Sequence, residues 1–335
     1  MSRTVEALLL ALIAACCVRP AVAEPERSQG VLSVHFDNDY FLDTDQNYTS
    51  GFRLAYVAPM APSHPLAPLA RALPLGEGEL RVTYSLGQKI FTPRDILQTR
   101  LITTDQPYSA YLYGGIAIES EKHREGGRRI LDSFELQLGI VGPHAYGEEV
   151  QKAAHSLFGS DEPQGWDNQL NDELAINLYY DRIWGGWYGS RIGPADGNYR
   201  LDLSPHVGAA LGNVYTHLSV GATLRLGQNL PPHDGPPSIR PGPPGTDYYK
   251  PARDLRWYLF VGMDGRVVAR NIFLDGNTLT DSHSIDKEGL VGEMRFGLAV
   301  LLGRYRLTYA RVNRSEEFEG QASNRFGSLT LSVAF

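Results

Sequence analysis

Beyond its first 23 residues the chain alternates between apolar and polar positions. Phe52-Arg53-Leu54-Ala55-Tyr56-Val57, Phe134-Glu135-Leu136-Gln137-Leu138 and Leu174-Ala175-Ile176-Asn177-Leu178-Tyr179 show the pattern, and so do the stretches from His217 to Leu226 and from Arg304 to Tyr309. A period of two predicts strands, because successive side chains of a strand point to opposite faces. Gly, Pro, Asn and Asp separate the segments, as residues of turns do. About twelve such segments are visible, each near the length a tilted strand needs to cross a bilayer. No apolar run after residue 23 is long enough for a membrane-spanning helix.

The last segment is the sharpest. Leu329, Leu331, Val333 and Phe335 alternate with Thr330, Ser332 and Ala334, and the chain stops on the aromatic residue. A final amphipathic strand ending in Phe resembles the assembly signal of bacterial outer-membrane barrels. The competing fold is a soluble β-sandwich whose last strand ends there. Eighteen tyrosines favour the barrel, because aromatic girdles mark both membrane interfaces. Closing the sheet also pairs the backbone groups that lipid would leave unsatisfied. The expected fold is all-β: a transmembrane barrel of about twelve antiparallel strands with a short helical insertion.

That insertion is one of two breaks in the rhythm. From Gly147 to about Asn171 the pattern looks helical, with Glu148 and Glu149 near the N-terminus, where negative charge is favoured, and Gly159 able to close the far end. The other break, Pro231 to Pro251, is packed with Pro and Gly and reads as a long mobile loop.

Composition narrows the class. Hydrophobic residues make up 42% and charged residues 21% of the 335, which excludes a disordered chain and a helical membrane bundle. A formal net charge of −7 gives no basic footprint for nucleic acid. Arg3, the apolar run from Ala7 to Cys17, and Ala21-Val22-Ala23 form a secretory signal, with cleavage expected after Ala23. A lipoprotein site at Ile13-Ala14-Ala15-Cys16 is the alternative. Residues 24–335 are then a single outer-membrane barrel domain. Nothing sets its oligomeric state, a monomer being favoured. Cys16 and Cys17 both lie in the signal, so the mature chain has no thiol for disulfides, metal binding or nucleophilic attack.

Two groups of residues could carry chemistry. Gln151 and His155 stand four apart on the expected helix and so share a face. Ala153 and Ala154 leave room around the imidazole, and histidine is the usual general base near neutral pH. Asp161, Asp167 and Asp172 follow as carboxylates able to orient it, Asp161 being nearest in sequence. An exposed polar helix face is the plain alternative. The second group runs from Asp37 to Asn47 and includes Asn38, Asp39, Asp43 and Asp45. These oxygens suit a hard cation such as Ca²⁺. The segment lacks the central Gly and closing Glu of an EF-hand, and a polar turn between strands would have the same composition.

Asn38-Asp39 through Tyr48-Thr49-Ser50-Gly51 resembles the opening of the lipid A 3′-O-deacylase family of Gram-negative outer membranes. Gly142 to His155 resembles that family's catalytic helix, and Trp166-Asp167-Asn168-Gln169-Leu170 also fits. The resemblance implies a twelve-stranded barrel acting near the outer leaflet on lipid A of lipopolysaccharide, with Ca²⁺-dependent release of the 3′-linked acyloxyacyl group. It implies His155 as general base, Asp39 as metal ligand with Asn38 beside it, and Gln151 and Thr49 lining the site. Asp161 falls where the family has an acidic partner for the histidine, here Asp instead of Glu. No clean match exists for the family's basic residues; Arg94 and Arg100 are the available cations, Arg100 the better placed. Asp105-Gln106-Pro107-Tyr108 stands where members often carry Asp-Arg-Pro-Tyr. Such changes could alter the handling of lipid A phosphates.

The chain has no Gly-x-Ser-x-Gly elbow, so a serine triad is not expected. Two other classes compete with the hydrolase: a passive channel or structural barrel, and a family relative that kept the fold without the activity.

Overall fold

The computed structural model describes residues 30–335 except 40–46, 76–77, 194–197, 231–235, 237, 243 and 322. The expected signal segment and its cleavage site lie outside the described residues. In chain order the strands are β1 (Val31–Asn38), β2 (Asn47–Pro59), β3 (Glu79–Thr92), β4 (Ser109–His123), β5 (Arg129–Val141), β6 (Glu173–Gly185), β7 (Tyr188–Ile192), β8 (Tyr199–Gly212), β9 (Tyr215–Gln228), β10 (Ala252–Asn271), β11 (Leu290–Gly303), β12 (Tyr305–Arg314) and β13 (Asn324–Ala334). Among the described residues three α-helices accompany them: α1 (Ala67–Ala72), α2 (Gly147–Phe158) and α3 (Ile272–Asp275).

Each strand pairs antiparallel with its neighbours, and β1 returns to β13 with Val31 opposite Ala334. β6 pairs with β8 from Asn177 to Ile183, and short β7 continues along the same partner, Tyr188 opposite Leu203. β6 and β7 therefore act as one interrupted strand, and the sheet closes as a twelve-strand barrel. Closure removes the free edges that lipid would leave unsatisfied.

Side-chain parity shows which face is which. In β1, Ser33, His35 and Asp37 are buried while Val34 and Phe36 are exposed. In β5, Glu135 and Gln137 are buried between exposed Leu136 and Leu138. In β9, His217, Thr223 and Arg225 are buried, and Leu218, Val220 and Leu224 are exposed. A soluble sandwich hides its apolar face; this sheet presents that face outward and keeps a polar interior, as a membrane barrel must. In β13 the same parity buries Thr330, Ser332 and Ala334 and exposes Phe335.

Buried charges persist only when paired, and the lumen pairs them. Glu293 bonds Arg266, Arg295 and Arg314 at 3.3, 3.1 and 2.9 Å. Arg225 meets Asp202 at 2.5 Å, and Glu121 lies between Arg81 and Arg129.

One rim carries the start of β1, the end of β13 and the connection 229–251; the other carries 93–108, 142–172 and 272–289. The Pro- and Gly-rich connection is expected as a long mobile loop, and its described residues are held by ion pairs to the wall. Its Arg240 bonds Glu135 at 2.8 Å and Asp181 at 2.5 Å. Asp247 bonds His35 and Arg53, each at 2.7 Å. Ile239, Thr246, Tyr248 and Tyr249 are buried. These described residues of the segment lie in the lumen, where the wall offers inward charges that complement theirs. Between it and the wall lies a cavity of about 30 Å³, room for a water or two.

Nearer the opposite rim an aromatic layer crosses the lumen, comprising Tyr48, Phe91, Tyr111, Tyr113, Tyr179, Tyr215, Phe273 and Phe326. α3 contributes Phe273, stacked on Phe91 at 4.1 Å. α2 ends at Phe158, closed by Gly159 at φ 71° as the sequence allows, while the helical region expected to extend to about residue 171 does not continue as helix. Beyond it only a single 3-10 turn, Trp166–Asn168, forms. Glycine at this position ends the helix, and Pro163 prevents it from resuming at once.

Candidate active site on the outer side of the wall

α2 is seated by its first residue. A Cβ on Gly147 would lie 2.4 Å from the Ala110 methyl and 2.7 Å from the Trp166 ring, so glycine lets the helix start directly on the barrel. Glu148 and Glu149 occupy the first turn, at the positive end of the helix. Lys152 bonds Glu148 at 2.9 Å and Glu162 at 3.2 Å, tying the helix to the chain that follows. Those two bonds, Glu148's first, raise the lysine pKa.

Alternation fixes the side of the wall on which α2 sits. Lys89 faces the lumen, 5.4 and 5.0 Å from the ring centres of Tyr111 and Tyr215. Its neighbour Ile90 therefore faces outward, as does Ala110 beside the inward Tyr111. Ile90 and Ala110 are nonetheless only 1% and 0% exposed, because Tyr108, Ala145 and Trp166 cover them. α2 and the turn after it thus lie against the lipid-facing surface, at the rim opposite the chain termini.

On this helix Gln151 is buried, and its Oε1 accepts a hydrogen bond from Trp166 Nε1 at 2.9 Å. His155, one turn on, is half-buried, with Nδ1 2.5 Å from the main-chain oxygen of Asp161. A carbonyl only accepts, so Nδ1 carries the hydrogen and Nε2 of the neutral ring keeps its lone pair. Asp161 orients the imidazole through its backbone, and the length of its side chain does not enter that bond. Asp172 bonds His144 at 2.5 Å, while Asp167 is exposed on the turn that carries Trp166.

The second group gathers at the tips of β1, β2 and β3. Asn38 Nδ2 donates to the Thr49 carbonyl at 3.3 Å. Thr49 sits at an irregularity of β2 and shares a 2.8 Å hydroxyl bond with Thr92. Gln106 Nε2 donates to the Thr92 carbonyl at 2.9 Å. Two residues later Tyr108 packs on Trp166, ring centres 4.9 Å apart. A continuous set of contacts therefore joins Asn38 and Thr49 to Trp166 and Gln151. Asp39, just past β1, is 2% exposed; Asp43 and Asp45 lie outside the described residues. Arg100 is exposed in the β3–β4 connection, lining a shallow cleft with Gln98, Tyr108, Gly165 and Asn168. Asn168 Nδ2 holds that connection through the Thr99 carbonyl at 3.0 Å.

The chemistry of the β1 tip fits a hard cation. The buried Asp39 carboxylate, the Asn38 amide oxygen and the Thr49 hydroxyl are all oxygen donors. Among the described residues the one trio of close His, Asp and Glu side chains is Glu79, Glu121 and His123, at the other rim. There Glu121 is already engaged by two arginines.

The family described as "Outer membrane protein LpxR" matches residues 8–335. The chain belongs to the LpxR family. LpxR from Salmonella typhimurium is similar in structure, with a TM-score of 0.72 at 20% identity, covering 91% of this chain and 100% of that one. The β domain of the Bordetella autotransporter BrkA gives a TM-score of 0.48 at 10% identity, covering 91% and 98% of the two chains. The translocator domain of NalP from Neisseria meningitidis gives 0.38 at 10% identity, covering 99% and 95%. No protein of curated function matches. Barrel and family together place this LpxR-family chain in the outer membrane.

Three contributors to the site had no role in the sequence reading: Trp166, Thr92 and Gln106. Their roles depend on partners 15, 43 and 14 residues away. Gln106 was noted only for the charge it lacks, whereas its amide is spent on the backbone of β3. The one available signal was the Trp in the block that resembles the family.

Proposed function

We propose that this LpxR-family barrel is a lipid A 3′-O-deacylase, an ester hydrolase that releases the 3′-linked acyloxyacyl group with the help of Ca²⁺. The observation that supports it best is placement. Contacts at one rim join Asn38 and Thr49 to Gln151, His155 stands one turn from Gln151 on α2, and α2 covers the outside of the wall. An outer-leaflet lipid could present its ester there while its chains stay in the bilayer. A channel needs an open lumen; this one holds an ion-paired segment and an aromatic layer.

His155 takes a proton from water at Nε2, with the Asp161 carbonyl holding Nδ1–H. The water oxygen bonds to the ester carbonyl carbon, the carbon–oxygen bond to the sugar breaks, and the proton passes to the departing sugar oxygen. The products are a free acyloxyacyl acid and lipid A with a 3′-hydroxyl. Asp39 and Asn38 would hold Ca²⁺, which when bound supplies positive charge against the oxygen of the carbonyl under attack. Thr49 and Gln151 line the site, and Arg100 is an exposed cation at the same rim for a lipid A phosphate.

The test is purified protein in detergent with lipid A. Acyloxyacyl release should require Ca²⁺, stop in excess chelator and recover poorly with Mg²⁺, which demands strict octahedral geometry. Full release in chelator would remove the cation; no release under any condition would leave an inactive relative.

A further inference from the structure

We infer that Trp166 is a positioning residue that turns the Gln151 side-chain amide so that its N–H₂ donates to the carbonyl oxygen of the ester under attack. This rests on the deacylase reading and adds to it a hydrogen-bond donor for the carbonyl oxygen. An indole N–H can only donate, so the Gln151 atom 2.9 Å from Trp166 Nε1 is the oxygen. That settles the direction of an amide whose two ends are otherwise hard to tell apart. The opposite end, Nε2, is then a donor that meets no partner among the described residues, on a side chain only 3% exposed.

The indole itself cannot turn to release the amide. Trp166 is 2% exposed. Tyr108 packs on it at 4.9 Å, and the Tyr108 hydroxyl is fixed by the Ile96 carbonyl at 3.0 Å. The first residue of α2 closes over the ring, since a Cβ on Gly147 would stand 2.7 Å from it. His155 follows Gln151 by one turn on the same helix face. The carbonyl attacked by water from His155 is the acceptor assigned to Gln151 Nε2. A donor fixed before reaction strengthens as negative charge grows on that oxygen, with no reorganisation needed at that moment.

Trp166→Phe keeps an aromatic side chain but deletes the N–H along with part of the indole, so its folding is checked by heat-modifiable migration beside wild type. With purified protein, Ca²⁺ and lipid A, kcat should fall roughly tenfold to a hundredfold while KM stays within about twofold, since the lost bond is made in the transition state. Gln151→Glu still accepts from Trp166 but replaces the donor by a carboxylate oxygen, and should cost roughly 10² to 10³ in kcat. Adding Trp166→Phe to Gln151→Glu should cost nothing more, because the indole acts through the amide. An unchanged kcat in Trp166→Phe, or losses that multiply in the double variant, would overturn the inference. A readout independent of turnover accompanies these. In micelles, Gln151→Leu should shift one of the four tryptophan indole N–H resonances, the one that disappears in Trp166→Phe. If wild-type protein releases nothing from lipid A, the deacylase reading fails and the donor role with it. The indole shift then reports separately whether the indole–amide bond exists, and an unmoved resonance would overturn the orientation as well.

Discussion

Replacing Arg240 by Met tests whether the segment 229–251 closes the lumen. Met keeps much of the apolar stem but removes the guanidinium, whose carbon lies 4.9 Å from the Tyr179 ring centre, and with it both ion pairs, to Glu135 at 2.8 Å and Asp181 at 2.5 Å. The two carboxylates are 5% and 4% exposed, so each loses a partner it cannot replace with bulk water. Removing one member of a buried pair costs about 3–5 kcal/mol. At about 1.4 kcal/mol per tenfold, the displaced state of the segment gains roughly two to four powers of ten in population. The cost falls on the segment, because the strand ladders of the wall are untouched. In planar bilayers the wild-type barrel should pass almost no current, whereas Arg240→Met should show frequent openings and still migrate as a folded, heat-modifiable barrel. A folded Arg240→Met barrel as silent as wild type would refute the plug.

Acid should loosen the same segment. Burial would raise the Asp247 pKa, but the charges of Arg53 and His35 hold it well below the usual carboxylate range. A depressed folded pKa means that the stabilisation is complete above the unfolded value of about 4 and is lost as pH falls below it. Wild-type conductance should therefore stay closed at neutral pH and rise only below about pH 4; openings already frequent at pH 6 would contradict this. Phe335→Asp puts a charge where the last strand exposes an apolar ring, 59% exposed, and should sharply lower the amount of barrel recovered from outer membranes. Asp39→Ala should shift the Ca²⁺ needed for half-maximal release upward by at least about tenfold, the loss expected when an anionic ligand leaves an all-oxygen site; an unchanged Ca²⁺ titration would exclude Asp39 as a ligand.

The barrel was legible because membrane strands obey a strict period. Leu136 and Leu138 must face lipid, Glu135 and Gln137 must not, and that rule is written residue by residue. Gln151 and His155 were legible for a similar reason, since a spacing of four puts two side chains on one helical face. What the sequence hid depends on distant partners. The Pro- and Gly-rich stretch from 231 to 251 looks like a mobile loop until closure of the sheet brings His35, Arg53, Glu135 and Asp181 round its Arg240 and Asp247. Asp161 looked like a carboxylate for His155, but main-chain geometry after Gly159 presents its carbonyl. Trp166 could not be tied to Gln151 without knowing that Gly147 seats the helix against Ala110.

The central claim is ester hydrolysis by His155, and mass spectrometry of lipid A measures it directly. Cells carrying wild-type protein should show lipid A lacking the 3′ acyloxyacyl group. Cells carrying equal amounts of folded His155→Ala should retain it, since a positioned general base contributes roughly a hundredfold to ten-thousandfold. Lys152→Ala, on another face of α2 and held only by exposed ion pairs, should match wild type. Full deacylation with folded His155→Ala would contradict the account, and so would intact lipid A in cells carrying the wild-type barrel.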